Sequence, residues 1–447
     1  MLMLAGAAMG QCREPRWTEE FSTPERGLIY DGGAWPGDGY ALQVYEGGPG
    51  GRWLYVGGFF RAAGPVQTNA IARWDGKHWS DVGGGLGPQD CVVTGMGIHD
   101  PDGPGPQPPV LIVVGNFNSA GGQPVSNVAA FDGARWSPFG SIDTAAYYQC
   151  PVVDYDADGS GPLLPAAILA RSTVRRFDGT NWTTIPGSPG GILALAVYDE
   201  DGDGPLSPAL FAGSDITPGL YKWDGTTWSV VGGGLSRSAE HRCCALRVID
   251  EDGPGPMRPM LWAGGTFTTA GGVPVSNIAR WDGQQWSAIG GGLAGQVEDI
   301  VAVDYTGVPG SPTVFATTTF NESIARWDGV SWSIVGQADS ANAIFVLHQL
   351  AAFDDGDGQP ALYFVAAALR HVNQTPSYGI ARFACACYAN CDASTAEPTL
   401  NVNDFVCFMS RFAGGESYAN CDASTVPPVL NVNDFLCFQS RFVAGCR

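Results

Sequence analysis

Basic residues are scarce: 23 Lys and Arg stand against 44 Asp and Glu, and no basic run reverses the formal charge of −21 locally. Such a surface repels a phosphate backbone, which excludes nucleic acid as a partner. Long apolar runs are missing too, since no later stretch approaches the ~18 residues needed to span a bilayer, so no helix anchors the chain. The histidines number five (His78, His99, His241, His348, His371), and none lies near the cysteine-rich end. Also absent are G-x-S-x-G, a Walker loop and H-E-x-x-H, which removes the usual signatures of acyl transfer, phosphoryl transfer and zinc hydrolysis. Carboxylate pairs assembled in space remain open, because 44 acids supply many candidates.

What is abundant is turn chemistry and aromatic bulk. Gly 63 and Pro 32 exceed what a helical protein tolerates, while 14 Trp and 21 Phe supply core, so the 447 residues read as all-β with many turns. The acidity suits an exported, soluble protein or one that collects divalent cations. The start "MLMLAGAAMGQC" is short and apolar, with Ala8-Met9-Gly10 placed for cleavage before Gln11. It reads as the remnant of a secretion signal over residues 1–10, although it lacks a basic n-region. Twelve cysteines, an even number in that context, point to disulfides ahead of zinc.

One unit recurs along the chain. "RWDGKHW" ends at Trp79, and "FDGARW", "FDGTNW", "WDGTTW", "WDGQQW" and "WDGVSW" follow, their first aromatics at 74, 131, 177, 223, 281 and 327. A period near fifty with Asp-Gly turns is a propeller signature. Each unit reads as four short strands, for example Ala245–Ile249, Met260–Gly264, Asn277–Trp281 and Gln285–Ile289, with Asp282-Gly283 as the hairpin turn. Phe383 takes the aromatic place in a seventh unit that lacks its own fourth strand. "EPRWTEEF" (Glu14 to Phe21) reads as that missing strand, closing a seven-bladed β-propeller over residues 11–384 and removing an exposed sheet edge. Cys12 would then lie beside Cys385 or Cys387.

Hairpin alternation puts the acidic strand 1–2 turns and the Asp-Gly turns on one face. The other face carries the strand 2–3 loops and the "VGGGL" crossings, and it is where propellers usually bind ligands. Three of those loops, 59–69, 116–127 and 266–277, are long, as either a binding surface or unconstrained loops would be. On the acidic face, Asp154, Asp156 and Asp158 before Gly159, and Asp199, Asp201 and Asp203 before Gly204, spell D-x-D-x-D-G. Alternating carboxylates of this kind either converge on calcium or form plain Asp/Gly turns. The twelfth positions, Pro165 and Leu210, lack the bidentate Glu of an EF-hand.

The chain ends by repeating itself: "YANCDASTAEPTLNVNDFVCFMSRF" (388–412) returns as "YANCDASTVPPVLNVNDFLCFQSRF" (418–442), with 20 of 25 positions identical. Phe405, Phe408 and Phe412, and again Phe435, Phe438 and Phe442, are spaced as one apolar helical stripe. Two such helices bury their stripes against one another. This pair resembles the dockerin family, whose duplicated segment is an EF-hand-like calcium loop followed by a helix. The resemblance implies a small C-terminal α-helical domain over 385–447 that binds calcium through Asn390, Asp392, Ser394, Asn401 and Asp404, and through Asn420, Asp422, Ser424, Asn431 and Asp434. It also implies attachment to a cohesin-like protein partner. Cys391 and Cys407, like Cys421 and Cys437, are 16 apart and suggest equivalent bridges. The "WDG" repeats joined to this tail are similar to exported proteins of planctomycete bacteria.

Three functions fit. The foremost is a secreted or cell-surface, non-catalytic propeller that binds a protein or glycan and is attached through its calcium-binding tail. The others are a polysaccharide-degrading hydrolase or lyase carrying a dockerin, and a structural envelope or matrix component. An enzyme predicts two carboxylates converging in a central pocket on the strand 2–3 face, a binder predicts exposed aromatics there, and a structural role predicts a featureless face.

Overall fold

The WDG units fold as four-stranded antiparallel sheets, the sixth of which is extended to six strands by a ribbon of the seventh unit, Leu369–Val372 with Thr375–Pro376. The computed structural model describes residues 15–30, 35–47, 51–103, 105–142, 150–156, 166–170, 172–202, 204, 206–236, 242–253, 255–304, 312–340, 348–354, 360–385, 401–415, 419 and 430–444. Among these, the fifth sheet contains Arg242–Ile249, Met260–Thr266, Ile278–Trp281 and Trp286–Ala288, within a residue or two of the expectation except for an earlier start to its first strand. The first strands of the seven sheets in chain order are Asp38–Tyr45, Val92–His99, Val152–Tyr155, Ile192–Tyr198, Arg242–Ile249, Val297–Val303 and Gln349–Asp354. The array is propeller-like. In the seventh sheet the outer strand is Pro15–Trp17, paired with Ile380–Cys385 in the register Pro15↔Cys385 and Trp17↔Phe383. That strand is shorter than "EPRWTEEF" because Glu19–Phe21 turns into a 3-10 helix that carries Phe21 into the core. Cys12 and Cys387 lie outside the described residues.

The repeated motif builds each hairpin in the same way. Strands three and four are joined by four residues rather than a two-residue turn, and the Asp carboxylate closes the loop. Asp282 Oδ1, for instance, accepts from Gln284 N and Gln285 N, both at 2.8 Å. The following glycine, Gly283, has φ +97°, where a β-carbon would be strained. Behind the turn the two aromatics face each other in register, as in Trp74–Trp79 at 5.1 Å and Trp281–Trp286 at 5.4 Å between ring centroids.

Those aromatics also join neighbouring sheets. Trp136 Nε1 donates to Val82 O at 2.8 Å, Trp182 Nε1 to Phe139 O at 2.9 Å, and Trp17 Nε1 to Val335 O at 2.9 Å, in each case reaching the chain as it leaves the preceding sheet. Trp228 and Trp286 occupy the same place without such a bond. Around them, buried apolar side chains form a separate core between each pair of consecutive sheets. One of these joins Phe353, Tyr363 and Val365 of the seventh sheet to Leu42, Leu54 and Val56 of the first.

The long strand 2–3 loops are held by backbone pairing. They fold into two-residue ribbons, such as Ser119–Ala120 with Gln123–Pro124, and the former pairs with Leu86–Gly87 of the incoming crossing. Backbone hydrogen bonding therefore latches one sheet to the next.

In the C-terminal repeat, helix α1 (Val402–Ala413) and helix α2 (Val432–Ala444) pack through their phenylalanines. Phe408 and Phe438, both fully buried, stack at 4.1 Å with ring planes 13° apart, and Phe405 meets Phe435 edge-on at 5.4 Å. Because equivalent residues meet, the second copy supplies the surface that the first must bury.

Candidate functional site

A cavity of about 50 Å³ opens among the first strands of the second to seventh sheets, at the ends nearest the crossings and strand 2–3 loops. Its lining is made by a backbone irregularity that recurs. Five of the seven first strands carry a register shift near their start, leaving Tyr40, Thr94, Leu193, Cys244 and Glu298 unpaired. A bulge re-aims a side chain, and Thr94, Leu193, Cys244 and Glu298 all line the cavity.

Polar struts fix the walls. Asp299, 3% exposed, accepts at Oδ1 from Arg247 Nη2 at 2.8 Å and Ile300 N at 2.9 Å, and at Oδ2 from Leu350 N at 2.9 Å. One carboxylate thus ties the fifth, sixth and seventh sheets. Burial raises its pKa, opposed by Arg247 and the two amides. Gln349 Oε1 accepts from Leu42 N at 2.8 Å and links the seventh sheet to the first. Glu298 Oε1 accepts from Gln296 Nε2 at 3.3 Å, and its Oε2 lies 3.1 Å from Nδ1 of the buried His348. Asp38 accepts from Tyr40 Oη at 2.6 Å, and burial raises both pKa values.

The cysteines are not poised for chemistry. Burial pushes the Cys244 thiol up to about 12, with Glu298 and Asp215 adding and Arg242 opposing. A thiol held protonated is neither a nucleophile nor a ready metal ligand. Cys91, Cys243 and Cys244 are free thiols, which corrects the expectation of disulfides for these three, whereas Cys407 and Cys437 are not free. The reason is placement: Cys243 faces the core between sheets while the adjacent bulge turns Cys244 to the cavity.

The expected calcium residues fall into three groups. Asn390, Asp392, Ser394, Asn420, Asp422 and Ser424 lie outside the described residues, as do Asp158 and Asp203. Asn401, Asp404, Asn431 and Asp434 open the two helices. Asn403 N donates to Asn401 Oδ1 and Asn401 N to Asp404 Oδ2, both at 2.8 Å, and Asn433, Asn431 and Asp434 repeat the pattern. Asn401 is thus the N-cap and Asp404 the third helical residue of a capping box. Both aspartates are fully buried.

On the acidic face, Asp199 Oδ1 accepts from Asp201 N and Gly202 N, and Asp201 Oδ2 from Leu206 N at 3.1 Å, the arrangement of an Asp/Gly turn. Asp154 lies within the first strand of the third sheet, where its Oδ1 is 2.7 Å from His99 Nδ1 and its Oδ2 accepts from Asp100 N at 2.9 Å. It serves as a strut between two sheets, and Asp156 follows the strand. Among the described residues no three His, Cys, Asp or Glu side chains converge on a metal position.

Exposed aromatics stand in the crossings and strand 2–3 loops of the same face. Trp35 is 53% exposed with Arg370 over its ring at 5.1 Å, and Phe320, in the strand 2–3 loop of the sixth sheet, is 55% exposed. Tyr30 and Phe59 pair at 4.6 Å beneath Arg61. Sequence reasoning did not single out any of these residues. Trp35 stands outside the repeat, and Glu298 is marked in sequence only as an acid inside an apolar first strand.

No protein-family model matches the sequence, and no curated protein does. Among solved structures, the chain is similar to BBS1N in complex with ARL6DN, at 12% identity and TM-score 0.47 over 83% of this chain and 97% of that one. It is also similar to the extracellular domain of the one-component system BT4673 from B. thetaiotaomicron, at 10% identity and TM-score 0.46, covering 79% of this chain and 39% of that one. YCF48 from Cyanidioschyzon merolae follows at 11% identity and TM-score 0.40, covering 78% and 97%. At these scores the similarities carry no argument about the site. No helix among the described residues is long and apolar enough to cross a membrane.

Proposed function

We propose that the protein is an exported, non-catalytic glycan-binding propeller of seven blades, attached through a dockerin-like tail. The observation that carries the binding reading is that the strand 2–3 face holds both exposed aromatics, Trp35 and Phe320, and a cavity with polar lining. Sugar rings stack their apolar faces on aromatic planes while hydroxyls bond to carboxylates and amides, and Gln296, Glu298 and Gln349 supply those groups. Asp299 has both oxygens committed to three donors, and Glu298, the other acid of the lining, is held only by Gln296 and the His348 ring, which leaves at most one carboxylate for a ligand. Glycoside hydrolysis uses two carboxylates, which disfavours the enzyme reading. The seven-bladed ring is supported by the apolar core that joins the seventh sheet to the first.

For the tail, the reading is calcium at the ten loop positions, bridges Cys391–Cys407 and Cys421–Cys437, and a cohesin-like partner. Support comes from Asp404 and Asp434, which are fully buried although a first-turn acid that merely capped a helix is satisfied at the surface. It comes also from Val402 and Val406 on α1 and Val432 and Leu436 on α2, exposed at equivalent places as docking anchors.

The test is calorimetry of the full chain against a panel of oligosaccharides, with release of reducing ends followed in parallel. Saturable binding weakened about tenfold in Trp35→Ala and in Phe320→Ala, with no reducing ends released, is expected. Cleavage, or binding indifferent to both substitutions, overturns it.

A further inference from the structure

The bulges place two polar side chains out of water at the central cavity. Thr94 is 1% exposed and its Oγ1 has no hydrogen-bond partner, while Glu298 is 9% exposed. A hydroxyl shut away from water and unbonded is destabilising, and both residues line the cavity. An occupant that offers a donor relieves that cost.

Charge selects the kind of occupant. Asp299 is balanced by Arg247 and two backbone amides, whereas Glu298 is met by the neutral Gln296 amide and the His348 ring. An anion entering here meets Glu298 directly, so the cavity favours a cation or a neutral donor. Its volume of about 50 Å³ admits a group of a few heavy atoms. A primary ammonium is compact and carries three donors.

We propose that this cavity receives the ammonium group of an amino sugar, with Glu298 as its counter-ion and Thr94 Oγ1 as an acceptor, while the sugar rings lie outside on the Trp35–Phe320 face. The proposal rests on the glycan-binding reading above. It names the ligand class as polysaccharide with free amines and distinguishes it from the N-acetylated form, whose amide carries no charge.

The experiment is calorimetry of the full chain with oligomers of glucosamine, N-acetylglucosamine and glucose, and with Nα-acetyl-lysine amide as an ammonium without a sugar. Glucosamine oligomers are expected to bind at least about tenfold tighter than the acetylated ones. Glu298→Gln erases that preference, and Thr94→Val weakens the glucosamine oligomer alone, with the thermal midpoint of both variants at or above that of the parent. Equal or tighter binding of the acetylated oligomer overturns the proposal and leaves the glycan reading standing. A preference that survives Glu298→Gln overturns the assignment of the counter-ion. Lysine amide binding as tightly as the oligomer overturns the amino-sugar assignment, and failure of every oligomer overturns the glycan reading as well.

Discussion

The propeller sheets and the C-terminal pair are both made by duplication, yet they use the repeat differently. In the sheets each copy leans on the next: a fourth-strand tryptophan buries its ring in its own hairpin and hands its N–H to a carbonyl of the preceding sheet. In the tail the two copies face each other, Phe408 against Phe438, with no polar handle on the stacked rings. A directional bond that advances around the array needs a last partner, and the N-terminal strand supplies it through Trp17. A two-copy stack is complete with its second member, so one loss removes the whole core.

The largest expected break in this contrast is Trp17→Ala, which empties a 7%-exposed site against Phe383 and removes the bond to Val335. It should destabilise the sheets by about 3–5 kcal/mol in denaturant unfolding. Phe408→Ala, by comparison, should lose roughly as much but only from the tail, seen as reduced helical dichroism with the main thermal transition unmoved. Calcium sharpens the same contrast. Titration should show saturable binding near two ions, lost in Asp404→Ala plus Asp434→Ala, and chelation should lower the stability of the tail alone. Absence of heat up to several millimolar would sink the calcium reading.

Smaller effects separate the sheets from one another. Trp136→Phe loses a bond to Val82 that Trp286→Phe never had, so the first should cost about 1 kcal/mol more than the second in matched unfolding curves. Smallest is the acid response of the turns. Amides and the hydroxyl of Thr226 and Thr227 hold the Asp224 carboxyl well below its ordinary value, and Asp178, Asp282 and Asp328 are lowered too. A folded pKa below the unfolded one gives stability that is present above the ordinary carboxylate range and lost as pH falls through it. Asp224→Asn keeps an acceptor and should flatten that slope slightly while leaving neutral stability within a few tenths of a kcal/mol.

Much of the fold was legible because the repeat makes local signals redundant. Six copies of Asp-Gly between paired aromatics mark six hairpins, and "EPRW" shows its role because it reads as a fourth strand and the seventh unit lacks one. The cavity was not legible. Thr94, Cys244 and Glu298 share no motif; what they share is a position opposite one residue too few on the neighbouring strand, and pairing register is not written in any single segment. That the long strand 2–3 loops are constrained was not legible either, since the partner that pins Ser119–Ala120 is the crossing some thirty residues earlier.

By itself the sequence determined the period, the turn chemistry, the outer strand that completes the seventh sheet and the paired helical stripes, because each depends on spacing within a few tens of residues. Only the tertiary structure decided that Asp154 is a strut to His99, that Asp299 is spent on three donors while Glu298 lines the cavity, and that Trp35 is exposed. The physical reason is that burial and hydrogen-bond partnership belong to sheets brought together from distant parts of the chain, and these set what an acid or an aromatic is available to do.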